Sequence, residues 1–189
     1  MILESVIKFL FHNIGSFISA KKIADTLNSN GRKISVNTVE SYLSALKNSY
    51  IVYQANRYDI KGKQYLKTLA KYYVVDIGLR NILLNNQDTD LGHVLENIVY
   101  LELIRRGYKV SIGKVIGDKE VDFVAVNEKE TVYYQVASSV ADSKTLKREL
   151  ASLEIIDDHY PKYLITSDDY IDATHNGIKQ MNVIDFLLS

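Results

Sequence analysis

Three side chains with hard oxygen donors, Glu96, Asp122 and Gln135, fall within the stretch Gly92 to Ala137. Donors of this kind hold Mg²⁺ or Mn²⁺, and a cation so held polarises a phosphate and lowers the pKa of the attacking water. The chemistry implied is metal-assisted phosphodiester hydrolysis. Gln135 brings an oxygen without a charge, so it holds a cation more weakly than a carboxylate would. His12, His93, His159 and His175 show no metal-ligand spacing.

These donors need a helix, a strand and a returning strand to position them. Leu91, Val94, Leu95, Ile98, Leu101 and Ile104 predict a helix from Leu91 to Arg106, terminated by Gly107. Glu96 shares a face with Gly92, Val99 and Leu103, so its carboxylate sits among apolar neighbours, which is costly unless the charge is satisfied. Val110 and Ile112 mark a strand. Glu120 to Val126 alternates, with Val121, Phe123 and Ala125 on one face and Asp122 and Val124 on the other. After the turn at 127–130, Thr131 to Ala137 returns with Tyr133, Gln135 and Ala137 on a common face. Ser143 is placed to cap a helix from Lys144 to about Ile155, with Leu146, Leu150 and Leu153 inward and Lys144 and Lys147 solvated. Tyr163–Thr166 and Met181–Ile184 read as further strands. The order α-β-β-β-α-β-β predicts a mixed sheet with helices on its faces, an α/β (α+β) class.

The preceding residues read differently. Ile2, Val6, Phe9 and Leu10 predict an amphipathic helix ended by Gly15. Ser19 caps a second, with Ile23, Ala24 and Leu27 inward. Asn37 and Glu40 match a capping box for a third, with Val39, Tyr42, Leu43 and Leu46 on its apolar face. Two tyrosine-rich strands, 50–53 and 71–75, bracket a basic loop. Three helices followed by a basic two-stranded wing look like a winged helix-turn-helix, whose third helix enters the DNA groove. Its outward residues here are Thr38, Ser41, Ser44 and Lys47, and Arg57, Lys61 and Lys63 of the wing would meet phosphates. Asp76 turns the chain into a short helix whose Leu79, Ile82, Leu83 and Leu84 form an apolar packing surface. The polar run at 85–90 then places the boundary near residue 88, giving domains 1–87 and 88–189.

Composition agrees with two modules. Residues 1–75 carry 11 Lys and Arg against 4 Asp and Glu, while residues 76–189 carry 12 against 19, although the 189-residue chain is neutral as a whole. The absence of cysteine excludes disulfides and thiolate metal sites and fits a cytoplasmic protein. No apolar run approaches the roughly 20 residues of a membrane span.

Four ordered motifs carry a resemblance: Lys71 to Leu79, Gly92 to Asn97, Glu120 to Val124 and Tyr133 to Ala137. Together they are similar to the C-terminal domain of unknown function of prokaryotic AAA+-type ATPases, in which a winged helix leads into a domain resembling the PD-(D/E)XK, or restriction-endonuclease-like, nucleases. The resemblance implies that Glu96 is the core-helix acid, Asp122 the nuclease aspartate and Gln135 the second acid position. It also implies that the catalytic lysine position holds Ala137. No G-x-x-x-x-G-K-[ST] phosphate loop is present, so the resemblance implies either a C-terminal piece of a longer protein that carries the ATPase domain or a free-standing relative. Three functional expectations result: a DNA-binding accessory module with a degenerate nuclease-like domain, an active Mg²⁺-dependent DNA endonuclease using Glu96, Asp122 and Gln135, or a protein-docking module with no nucleic-acid role.

Overall fold

A computed structural model describes residues 1–85, 90–169 and 173–189, and the expected join near residue 88 lies outside them. The chain divides into two compact units, Met1–Ala55 with Thr68–Asp90, and Asn56–Lys67 with Leu91–Ser189. Both contribute to a mixed α/β architecture. The division moves the loop expected in the first module into the second unit. With it goes most of the charge contrast: the first unit carries 8 Lys and Arg against 6 Asp and Glu, and the second 15 against 17.

In the first unit, α1 (Ile2–His12) buries Val6, Leu10 and Phe11, whereas Ile2 is exposed. The inward face is thus rotated from the one the spacing suggested. The helix stops at Asn13, and Gly15 takes the left-handed φ of +70° two residues later. Phe17–Ile18 forms β1, which the sequence reading missed and which pairs antiparallel with a later strand. The next helix, α2 (Ala20–Ser29), is capped by Ser19 as expected and buries Ile23, Ala24 and Leu27.

Helix α3 (Val36–Asn48) is capped by Ser35, whose side chain accepts the Thr38 amide at 3.1 Å. Asn37 therefore lies inside the first turn, and the expected Asn37–Glu40 box is corrected. The Ser35 and Thr38 hydroxyls also meet at 2.8 Å, so the earlier serine captures the free donors first. Asn28 fixes the turn between α2 and α3 by donating to the Ile34 carbonyl at 3.0 Å and accepting its amide at 2.9 Å.

Strands β2 (Val52–Asp59) and β3 (Gln64–Val74) are neighbours, and β3 also pairs with β1 through Phe17↔Lys71 and Ile18↔Ala70. Helix α4 (Ile77–Leu83) is capped by Asp76 at 2.8 Å from the Leu79 amide. Its expected apolar packing face is reversed. Leu79 and Ile82 are exposed, while Arg80 is buried and donates to the Phe11 carbonyl at 2.8 Å.

In the second unit, α5 (Leu91–Arg105) leads to β4 (Lys109–Lys114), a 3₁₀ turn at Ile116–Asp118, β5 (Glu120–Val126) and β6 (Thr131–Ala137). Then come α6 (Ser143–Glu154), β7 (Lys162–Thr166), β8 (Thr174–His175), β9 (Ile178–Asn182) and α7 (Val183–Leu188). The latter part of β2 runs parallel to β4, and β4, β5 and β6 are antiparallel. The β6–β7 and β7–β9 pairs are parallel, and β8 closes antiparallel on β9. The sheet is therefore mixed. Helix α5 covers the face bearing Phe123, where Tyr100 sits 5.8 Å from its ring. On the other side, Leu150 and Leu153 of α6 join Val124, Tyr133, Ala137 and Leu164 in one apolar cluster.

Three local readings change. Asp142, not Ser143, caps α6, because its carboxylate takes the Thr145 amide at 2.9 Å. The strand expected over Met181–Ile184 ends at Asn182, whose side chain accepts the Ile184 amide at 2.7 Å and starts α7. The alternation of β5 is broken by a bulge. Ser111 pairs Val124 and Gly113 pairs Val121, so three residue steps of β5 oppose two of β4. The bulge turns Val121 into the cluster with Val124 and off the Phe123 face.

Candidate functional site

The bulge makes the local environment of Asp122. The β5–β6 ladder runs from Val126↔Thr131 to Phe123↔Tyr134. One step further on, side chains take over the hydrogen bonding. Asp122 Oδ2 accepts the Val136 amide at 2.9 Å, and Gln135 Oε1 accepts the Asp122 amide at 3.2 Å. Each residue satisfies a backbone donor that the diverging strands leave open. Asp122 and Gln135 are thus brought together, as the sequence expected.

The network continues into α6. Gln135 Nε2 donates to Glu149 Oε2 at 2.8 Å, and Arg148 closes on Glu149 Oε1 with its Nη2 at 2.7 Å. The amide orientation of Gln135 follows from its partners, since a backbone N–H needs an acceptor and a carboxylate needs a donor. Glu149 was not singled out from the sequence. Its signal was its place beside Leu150, at the margin of the α6 apolar stripe, where only 12% of its side chain is exposed.

Glu96 lies on α5 and is buried, with Asn97 beside it. Among the described residues, no three His, Cys, Asp or Glu side chains form a group that could hold a metal ion. Ala137 is buried in the apolar cluster with Val140, Leu150 and Leu153. Lys144 and Lys147 are exposed on α6, as the sequence implied. Nearby, burial and then the Asp158 carboxylate, which accepts from the Tyr133 hydroxyl at 2.7 Å, push the Tyr133 phenol far above its ordinary range.

The expected nucleic-acid residues fall in both units. Thr38, Ser41 and Ser44 are exposed on α3 in the first unit, although the Ser41 hydroxyl donates to the Asn37 carbonyl at 3.0 Å. Lys47 is half-buried, and its ammonium donates to Gln54 Oε1 at 2.6 Å. Arg57, Lys61 and Lys63 belong to the second unit. Arg57 is not an open phosphate contact, for its guanidinium is paired with Glu120 at 3.0 Å and its side chain is 16% exposed. Lys61 and Lys63 are exposed at the hairpin tip.

The chain is 42% identical over 187 residues to an uncharacterized protein of Haemophilus influenzae, covering 99% of this chain and 46% of that protein. It is 29% identical over 174 residues to an uncharacterized protein of Methanocaldococcus jannaschii, covering 89% and 38%. The chain thus spans less than half the length of these curated relatives. No solved structure matches it. Among the described residues no helix is long and apolar enough to cross a membrane. Residues 2–90 match the model of a family described as Domain of unknown function (DUF8612), a match that ends where the residues of the first unit end.

Proposed function

We propose that this chain is a nucleic-acid-associated accessory module of a longer, cytoplasmic AAA+-type ATPase, joining a DNA-binding winged helix to a nuclease-like domain that has lost catalysis. The carrying observation is the commitment of Gln135. Its oxygen, the atom a cation would need, already accepts the Asp122 amide, and its nitrogen is on Glu149. The Asp122 carboxylate in turn holds the Val136 amide. This donor set serves a splayed pair of strands, and with one carboxylate and a neutral amide it would hold Mg²⁺ or Mn²⁺ only weakly. Ala137, at the position the resemblance reserves for lysine, supplies only a methyl group to the core. Loss of one such electrostatic group costs about 10²–10³ in rate.

The order of three helices and a hairpin, with exposed hydroxyls of Thr38, Ser41 and Ser44 on α3, supports the winged-helix reading. The greater length of the relatives leaves room for an ATPase domain. The test is incubation of the full chain with supercoiled plasmid and Mg²⁺ or Mn²⁺, where the plasmid stays intact. Cleavage that vanishes in Asp122→Asn, which keeps an acceptor for the Val136 amide and unfolds in urea like the parent, would establish an active endonuclease instead. Duplex binding with a steep salt dependence is expected in parallel. No binding at low salt removes the nucleic-acid role and leaves the protein-docking alternative.

A further inference from the structure

We propose that the tip of the β2–β3 hairpin and the β4–β5 turn together form a site for the phosphodiester backbone of nucleic acid, lying wholly in the second unit. The proposal rests on the nucleic-acid reading above but puts a principal contact away from α3. Asp59, Lys61 and Gly62 form one side of a shallow groove of about 560 Å³, and Lys114 to Gly117 form the other.

The hairpin tip is held in place by the second unit's own residues. Arg57, Tyr58 and Asp59 pair in register with Ile112, Gly113 and Lys114, and the Ile60 amide donates to the Lys114 carbonyl at 3.1 Å. Arg57 bonds Glu120 at 3.0 Å, and Ile60 packs against the α6-side cluster. Gly113 lets the tip approach: a Cβ there would lie 2.8 Å from both Ile60 Cδ1 and Val124 Cγ2. Asp59 is occupied in the turn, where its Oδ1 accepts the Gly62 amide at 2.8 Å. Lysines on both walls are therefore presented by ordered backbone, which lowers the cost of arranging them around a ligand.

Charge selects the ligand. Among the described residues, no carboxylate pairs with Lys61, Lys63, Lys114 or Lys119, whereas Arg57, Arg105, Arg106 and Arg148 are each bonded to a glutamate. Among the described lining residues the acid is Asp59, whose Oδ1 accepts the Gly62 amide. Compact ammonium groups on separate walls suit successive phosphates of a strand, which demand charge more than a fixed fork. Gly117, where an added Cβ would meet nothing within 4 Å, leaves the backbone open to close approach.

The test is anisotropy titration of a labelled duplex with the full chain over a range of salt. Lys61→Ala with Lys114→Ala is expected to weaken binding about 10-fold near 0.1 M salt and to reduce the salt slope by about 2, because each phosphate contact contributes about 0.9. Lys61→Arg with Lys114→Arg keeps the slope. Unchanged affinity and slope in the alanine pair, with loss in Lys47→Ala or Ser44→Ala, overturns the groove and leaves the α3 reading standing. A wild-type chain that binds no duplex at low salt overturns both.

Discussion

The second unit holds two polar clusters of opposite character. Around Asp122 donors meet acceptors in a chain: the Val136 amide on Asp122, the Asp122 amide on Gln135, the Gln135 side-chain nitrogen on Glu149, and Arg148 on Glu149. Around the hairpin tip, lysines on both walls of a groove have no carboxylate partner among the described residues. A buried network that satisfies itself stabilises a fold and leaves little for a ligand to gain. An ordered set of unpaired charges stabilises nothing by itself and is available to bind. On the proposed reading, the position that resembles a catalytic centre serves the fold, and the loop that looked like a peripheral wing serves contact.

The most damaging way to probe this contrast is Asp122→Ala. It leaves the Val136 amide of a buried residue without its acceptor, and a hydrogen bond to a charged group is involved. The expected loss is about 3 kcal/mol in urea unfolding. A stability change under about 0.5 kcal/mol would mean that Asp122 is not holding the strands and would return it to the list of functional groups.

Gly113→Ala sharpens the other side. The added methyl meets Ile60 and Val124 at 2.8 Å, so the tip must lift or the core must shift. A cost of about 1–2 kcal/mol is expected. Trypsin should also cut faster at Lys61 and Lys63, read by mass spectrometry. Unchanged cleavage would show that the tip is not held by this contact.

A satisfied carboxylate elsewhere in the unit gives a smaller, pH-dependent effect. Hydrogen bonds from Arg105 first, and then from Arg106, hold Glu102 below its ordinary value of 4.5 against the opposing effect of burial. A depressed folded pKa means that the carboxylate contributes stability fully above the unfolded value and loses it as pH falls through the folded one. Glu102→Gln should therefore lower stability at neutral pH and flatten the acid limb below pH 4.5 in thermal unfolding scans. Arg105 is exposed, so solvent screening keeps the effect modest.

Much of this was legible because periodicity and short-range chemistry set it. Leu150 and Leu153 face inward on α6, Gly107 ends α5, and Asp122 and Gln135 meet across a hairpin whose register follows from a short turn. What was hidden depends on partners distant in sequence. The β5 bulge exists only against β4, so counting alternate residues put Val121 on the wrong face. Arg57 pairs with Ile112, a choice no local pattern contains, and that pairing carries the whole basic loop into the other unit. The charge split that suggested a basic first module was a consequence of cutting the chain in sequence order. Ser35 and Asn37 are both good caps two residues apart, and only the Ser35–Thr38 hydroxyl pair decides between them.

The smallest expected effect is the one that separates the two clusters most cleanly. Lys61→Ala with Lys114→Ala removes two charges that have no ion-pair partner among the described residues, so no favourable interaction is lost on folding. Stability by urea unfolding should stay within about 0.5 kcal/mol of the parent, as for surface substitutions away from structural features. Relief of repulsion between lysines facing each other across the groove would make any change slightly stabilising, and added salt would erase it. A loss above about 1 kcal/mol would mean that these lysines support the hairpin tip as Asp122 supports β6, and the distinction between a cluster built for the fold and one built for a ligand would collapse.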